Sequence, residues 1–153
     1  MGNLCCKDEL SRLEKTVDFS FTGLVCRAKV VEVYDGDTIR IRFRWGKEYP
    51  QFRVRLLGID TPEIKPKKKK DTGEMRSDDD IAGEKERAVR SRDALRERID
   101  GKVINVVFSQ NDKYGRPLVT LWDKKIRKFV KENSVNEWML GNGAVPYFGG
   151  KKQ

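Results

Sequence analysis

Between Thr38 and Trp45 the chain alternates without a break. Ile39, Ile41, Phe43 and Trp45 take every second position, and Arg40, Arg42 and Arg44 take the positions between them. Successive side chains of a strand point to opposite faces, so this run predicts a half-buried strand with one apolar face and one face lined by arginine. Asp35-Gly36 before it and Gly46-Lys47 after it are turn signals. The Val-rich stretch from Leu24 to Tyr34 and the stretch from Gln51 to Ile59 read as flanking strands. Three strands joined by such short turns form an antiparallel meander.

The rest of the chain extends this pattern. Residues 64–80 carry Lys65, Lys67, Lys68, Lys69, Lys70, Asp71 and Asp78-Asp79-Asp80, and read as a solvated loop. A helix is expected over 81–99, with Ala88, Ser91, Leu95 and Ile99 on one face and Gly101 as its stop. Val103–Phe108 and Leu118–Trp122 are two further strands. Ser134 with Glu137 three residues on has the capping-box form and opens a second helix ending near Gly143. The expected fold class is therefore α+β, mainly β: a five-stranded closed barrel of the OB type with two or three helices. The chain has 153 residues, enough for one cored domain. We expect an N-terminal tether over 1–22 and the barrel domain over 23–150.

Charge narrows the partners. Lys and Arg number 33 against 24 Asp and Glu, a formal charge of +9, which attracts polyanions. The chain contains no histidine. That excludes Ser-His-Asp and Cys-His catalysis, histidine zinc sites and imidazole acid–base chemistry. Its three cysteines, Cys5, Cys6 and Cys26, give no disulfide framework and suit a reducing, cytoplasmic compartment. The chain opens Met1-Gly2-Asn3-Leu4-Cys5-Cys6. Gly2 is placed for N-myristoylation and Cys5 and Cys6 for palmitoylation, although position six is Cys where Ser or Thr is favoured. One acyl chain holds weakly and two hold stably, so dual acylation would anchor the chain to the cytoplasmic face of a membrane.

Three segments carry chemistry. Asp35-Gly36-Asp37-Thr38 lies at the turn between the first two strands. Arg55-Leu56-Leu57-Gly58-Ile59-Asp60-Thr61-Pro62-Glu63 runs off the end of the third strand. Asp112-Lys113-Tyr114-Gly115-Arg116 lies in the turn before the last strand. Cutting a phosphodiester without histidine requires a hard metal held by oxygens, a carboxylate to align or deprotonate water, and cations for the charge developing on phosphorus. Pro62 fixes the backbone between Asp60 and Glu63. Two arginines converging on one phosphate supply permanent, multidentate donors. Asp35 and Gly36 read first as turn builders, while Arg55, among Val54, Leu56 and Leu57, needs a buried partner or a ligand.

In this order the three segments closely resemble the staphylococcal nuclease family, over about residues 24–147, and Val135-Asn136-Glu137 and Gly143 resemble its second helix. The resemblance implies a calcium-dependent endo- and exonuclease acting on DNA and RNA and leaving 3′-phosphate ends, here as a monomer. It implies that Asp37 and Asp60 bind Ca²⁺ through carboxylates and Thr61 through its carbonyl. Glu63 would act as general base or orient the water, Arg55 and Arg116 would bind the scissile phosphate, and Lys113 and Tyr114 would contact the nucleotide. The chain departs from the family in its lysine-rich 64–83 loop and in Lys124–Lys131, expected to lengthen a hairpin. It also ends at Gln153, where the bacterial nuclease continues into a third helix, and Val145–Phe148 are expected to cover that barrel end. Two other readings compete: a non-catalytic nucleic-acid- or protein-binding module, and a membrane-tethered adaptor binding anionic lipid. Neither explains the intact set of acidic and arginine residues.

Overall fold

The computed structural model describes residues 19–69, 72–124 and 128–148. Gly2, Cys5 and Cys6, with most of the 1–22 tether, lie outside them. The elements run β1 (Val25–Val33), β2 (Thr38–Phe43), β3 (Gln51–Leu56), β4 (Ile59–Asp60), α1 (Asp78–Ile99), β5 (Val103–Asn111), β6 (Pro117–Trp122), a 3₁₀ turn (Lys131–Asn133), α2 (Val135–Leu140) and β7 (Val145–Pro146). Five strands close into a barrel in the order β1-β2-β3-β6-β5. Neighbours are antiparallel except β3 and β6, which close the barrel in parallel with Arg55 opposite Leu118. This is the expected OB-type, mainly β architecture.

Period-two patterning fills the barrel. Ile39, Ile41 and Phe43 of β2, Val54 and Leu56 of β3, and Ile104, Val106 and Phe108 of β5 are all buried. In β1 the register shifts between Val30 and Glu32, so Val30 and Val33 both point inward although they are three residues apart; a bulge of this kind bends the strand into the barrel wall. Phe21 plugs one end, with ring centroids 5.5 Å from Phe43 and 4.9 Å from Phe52.

Several expectations change. Trp45 was expected on the inner face, but β2 stops at Phe43, and Trp45 bridges to Glu48 in a tight turn with half its surface exposed. The third strand does not run to Ile59. It ends at Leu56 because Gly58 adopts φ +78°, a left-handed conformation that glycine accepts freely, and the chain turns there into β4. Helix α1 begins at Asp78 rather than 81. Ser77 caps it by accepting the Asp80 N–H at 3.1 Å, and Asp78–Asp80 sit in its first turn, where negative charge complements the positive end of the helix dipole. Of the Lys124–Lys131 stretch expected to lengthen a hairpin, residues 125–127 lie outside the described residues.

Helix α1 buries the anticipated Ala88, Ser91, Leu95 and Ile99. Helix α2 is shorter than expected, ending at Leu140. Ser134 accepts the Glu137 N–H at 3.1 Å, which is the forward half of the capping box. The Asn136 side chain is buried and ties three elements together. It accepts the Leu121 N–H at 3.0 Å and donates to the carbonyls of Val119 at 2.9 Å and Leu57 at 3.0 Å. Strand β7 pairs antiparallel with β4, Asp60 opposite Val145, so Val145–Tyr147 line up beside the β3–β4 turn.

Candidate active site

The turn between β1 and β2 is built by Asp35, as its composition suggests. Asp35 Oδ1 accepts the N–H groups of Asp37 at 3.1 Å and Thr38 at 2.7 Å. Gly36 is required for a different reason. A Cβ there would stand 2.8 Å from Thr61 Cγ2 and 2.9 Å from Ser91 Cβ, distances no side chain tolerates. The turn can therefore seat against α1 and the β4 exit only as glycine, and that seating buries Asp37.

Asp37 and Asp60 meet on one guanidinium. Arg55 Nη2 lies 2.8 Å from Asp37 Oδ2 and 2.5 Å from Asp60 Oδ1, and Nη1 donates to Asp37 Oδ1 at 3.2 Å. The Asp37 side chain is only 4% exposed. Burial, then the neighbouring Asp35 carboxylate, push its pKa up to about 7, although Arg55 and the Thr38 hydroxyl at 2.8 Å pull it down. Arg55 is moved upward: burial works against its charge, but Asp37, Asp60 and Asp35 outweigh that. The arginine is thus well compensated and Asp37 is not. A buried carboxylate short of positive charge, sharing a focal point with a second carboxylate, is what a hard cation needs. Among the described residues no three His, Cys, Asp or Glu side chains cluster as a metal site. A cation here would be held by two carboxylates, completed by backbone oxygen and water. Thr61, next in the chain after Asp60, is buried and lines the same cleft.

Around this centre opens a cleft of about 1230 Å³. Its walls include Asp37, Arg55, Asp60, Thr61, Glu63, Lys113, Tyr114 and Arg116, so all the site residues expected from the barrel sequence come together. Glu63 is exposed, and its backbone N–H donates to Glu84 Oε1 at 3.3 Å; the other Glu84 oxygen pairs with Arg76 Nη2 at 2.5 Å. Helix α1 thereby pins the loop that carries Glu63. Asp112 performs the same task opposite. Its Oδ1 accepts the N–H groups of Tyr114 and Arg116, each at 2.9 Å, and its Oδ2 takes Arg116 Nε at 2.7 Å. Burial opposes the Asp112 charge, yet these donors hold its pKa below the usual value. Among the described residues Asp112 is the one carboxylate residue paired with Arg116. Tyr114 is 72% exposed, with Lys113 Nζ 5.0 Å from its ring centroid.

Three contributors were not anticipated in these roles. Tyr147 lies in the cleft, with its ring centroid 5.5 Å from the Arg55 guanidinium carbon. With Val145, Pro146 and Phe148 it was expected only to cover the barrel end. Asn136 fixes the β3–β4 turn; the signal was a polar residue on the inner side of a short helix. Glu84 carries no local signal, because its role depends on how α1 lies against Glu63 and Arg76.

The family model of staphylococcal nuclease homologues matches residues 53–152. Two proteins called "Uncharacterized endonuclease", from Escherichia coli O157:H7 and from Escherichia coli, are each 33% identical to the chain over 117 residues, covering 76% of it. The chain spans 58% of the length of those relatives. It belongs to the staphylococcal nuclease homologue family. The family match takes in Arg55, Asp60, Thr61, Glu63 and Arg116 and begins beyond Asp37. What ties Asp37 to that set is the barrel itself, through the pairing of Thr38 with Arg55.

Proposed function

We propose that the chain is a Ca²⁺-dependent nuclease that hydrolyses phosphodiester bonds in DNA and RNA. The observation that carries this reading is the convergence of two carboxylates, Asp37 and Asp60, on Arg55 in a cleft that Glu63 and Arg116 also line. Asp37, Asp60 and the Thr61 carbonyl would hold the calcium ion, which neutralises phosphate charge and orients water. Arg55 and Arg116 bind the phosphoryl oxygens, and their planar donors match the charge that builds up as phosphorus becomes five-coordinate. Glu63 aligns the attacking water and takes its proton. The new bond joins water oxygen to phosphorus, the bond to the 5′ oxygen breaks in line, the departing oxygen takes a proton from solvent to leave as a 5′ hydroxyl, and the 3′ side keeps the phosphate. Lys113 and Tyr114 receive the neighbouring nucleotide. Contacts of this kind read backbone rather than base edges, so cleavage depends little on sequence.

End-group analysis tests the direction of attack. Fragments should accept label at the 5′ hydroxyl without phosphatase treatment and should carry 3′-phosphates. Fragments with 5′-phosphates would contradict the assigned geometry. The binding-module reading would be adopted if the intact chain cut neither DNA nor RNA. The proposal retains a monomer and anchoring to the cytoplasmic face of a membrane through Gly2, Cys5 and Cys6. Labelled myristate incorporated by the parent chain and absent from Gly2→Ala is its check.

A further inference from the structure

The outer face of the β1–β2–β3 meander opposes like charges. Arg40 stands directly opposite Arg53, and Lys29 directly opposite Arg42. Such pairs hold their Cβ atoms about 5 Å apart and destabilise a sheet. Only Arg40 has a carboxylate, Glu32 at 3.1 Å; none is paired with Lys29, Arg42 or Arg53 among the described residues. Arg53 instead lies 4.7 Å from the ring centroid of Tyr34, which is 45% exposed. Both Tyr34 and Arg53 line the same cleft as Arg55. Alternation puts Arg53 on the same face as Arg55 two residues away, a spacing of about 7 Å. That is comparable with the step between phosphates of an extended single strand.

We propose that this face is a second substrate track. A single-stranded nucleic acid leaving the cleft at Arg55 continues along it, with its next phosphate on Arg53, a base stacked against the Tyr34–Arg53 platform, and a further phosphate on Arg42 and Lys29. The inference deepens the nuclease reading and rests on it. An exposed tyrosine ring with a guanidinium against it favours single strands, whose base faces are free, over duplexes, which bury them. The opposed cations then have a cause: a polyanion relieves the repulsion that the free sheet carries.

The test is fluorescence anisotropy of a labelled single-stranded 12-mer on the full chain, with EGTA present to prevent cutting. The triple variant Lys29→Gln, Arg42→Gln, Arg53→Gln should bind tenfold or more weakly, and its slope of log affinity against log salt should fall by about 2. Tyr34→Leu should bind about tenfold more weakly with the slope unchanged. A control triple, Arg90→Gln, Lys124→Gln, Lys128→Gln, removes equal charge away from the cleft and should change affinity less than twofold. The Tm of the Arg42→Gln single variant should not fall. Equal losses in both triples, or an unchanged slope in the first, would overturn the track. Cutting by the unaltered chain in calcium is measured separately. Binding that needs the track without any cutting removes the nuclease reading and leaves the track. Cutting with track-independent binding does the opposite.

Discussion

At the residue scale, Asp37 pays the cost of the site. Its folded pKa of about 7 lies above the ordinary value of 3.8. The metal-free fold therefore binds more protons at this position than the unfolded chain does between those two pH values. The stability this contributes is fully present below pH 3.8 and is lost as pH rises through about 7. Replacing the carboxylate by an isosteric amide removes the charge and keeps an acceptor for Thr38 and Arg55. Asp37→Asn should then raise the Tm of the EGTA-treated protein at pH 8, with the gain shrinking toward pH 5, while abolishing activity. A lower Tm at pH 8 would mean that Arg55 compensates Asp37 fully. Asp112 has the opposite sign. Its lowered pKa contributes stability above 3.8 that is lost as pH falls through the folded value. Asp112→Ala should lose that acid-sensitive stability and should lower kcat, because Arg116 and the Tyr114 turn lose their common anchor.

At the element scale, the site depends on close seating of turn, helix and short strand. Gly36→Ala forces a Cβ against Thr61 and Ser91. Overpacking of this kind costs about 1–3 kcal/mol, and it should cut activity more than its Tm change suggests, since the displaced element carries Asp37. Asn136→Ala strands one backbone N–H and two carbonyls that the amide now satisfies. A buried polar group left unpaired costs about 1–3 kcal/mol, so chemical denaturation should show a loss of at least about 2 kcal/mol. The elements themselves were largely legible in the sequence. Alternation marked β2, the Ser-x-x-Glu pair marked α2, and helical spacing named all four residues that α1 buries. Where the pattern misled, the cause was local and physical. The alternation of β2 continues to Trp45, but the Trp45–Glu48 bridge turns the chain before that ring can enter the core. The apolar run through Ile59 looks continuous until Gly58 takes a left-handed turn. The three motifs named the site residues by type, but not that Arg55 would bind both carboxylates at once. Nor did they reveal Glu84, whose role comes from packing.

At the scale of the whole molecule, a +9 chain folds into a barrel with a cleft lined by arginine and carboxylate groups and an arginine-bearing sheet face beside it. The barrel brings together segments from residues 35–38, 55–63 and 112–116, the first of them outside the stretch matched by the family. Closure through the parallel β3–β6 pair sets Arg55 in register with Leu118, two residues from Arg116. Both arginines line the same cleft. The most direct measurement of the central claim is the initial rate of DNA and RNA cleavage in Ca²⁺ and in EGTA, with Glu63→Ala assayed alongside. The account predicts cutting that requires calcium and falls at least about 100-fold in the variant, the scale of a lost general base. Cutting that persists in EGTA, or a variant as fast as the parent, would contradict it.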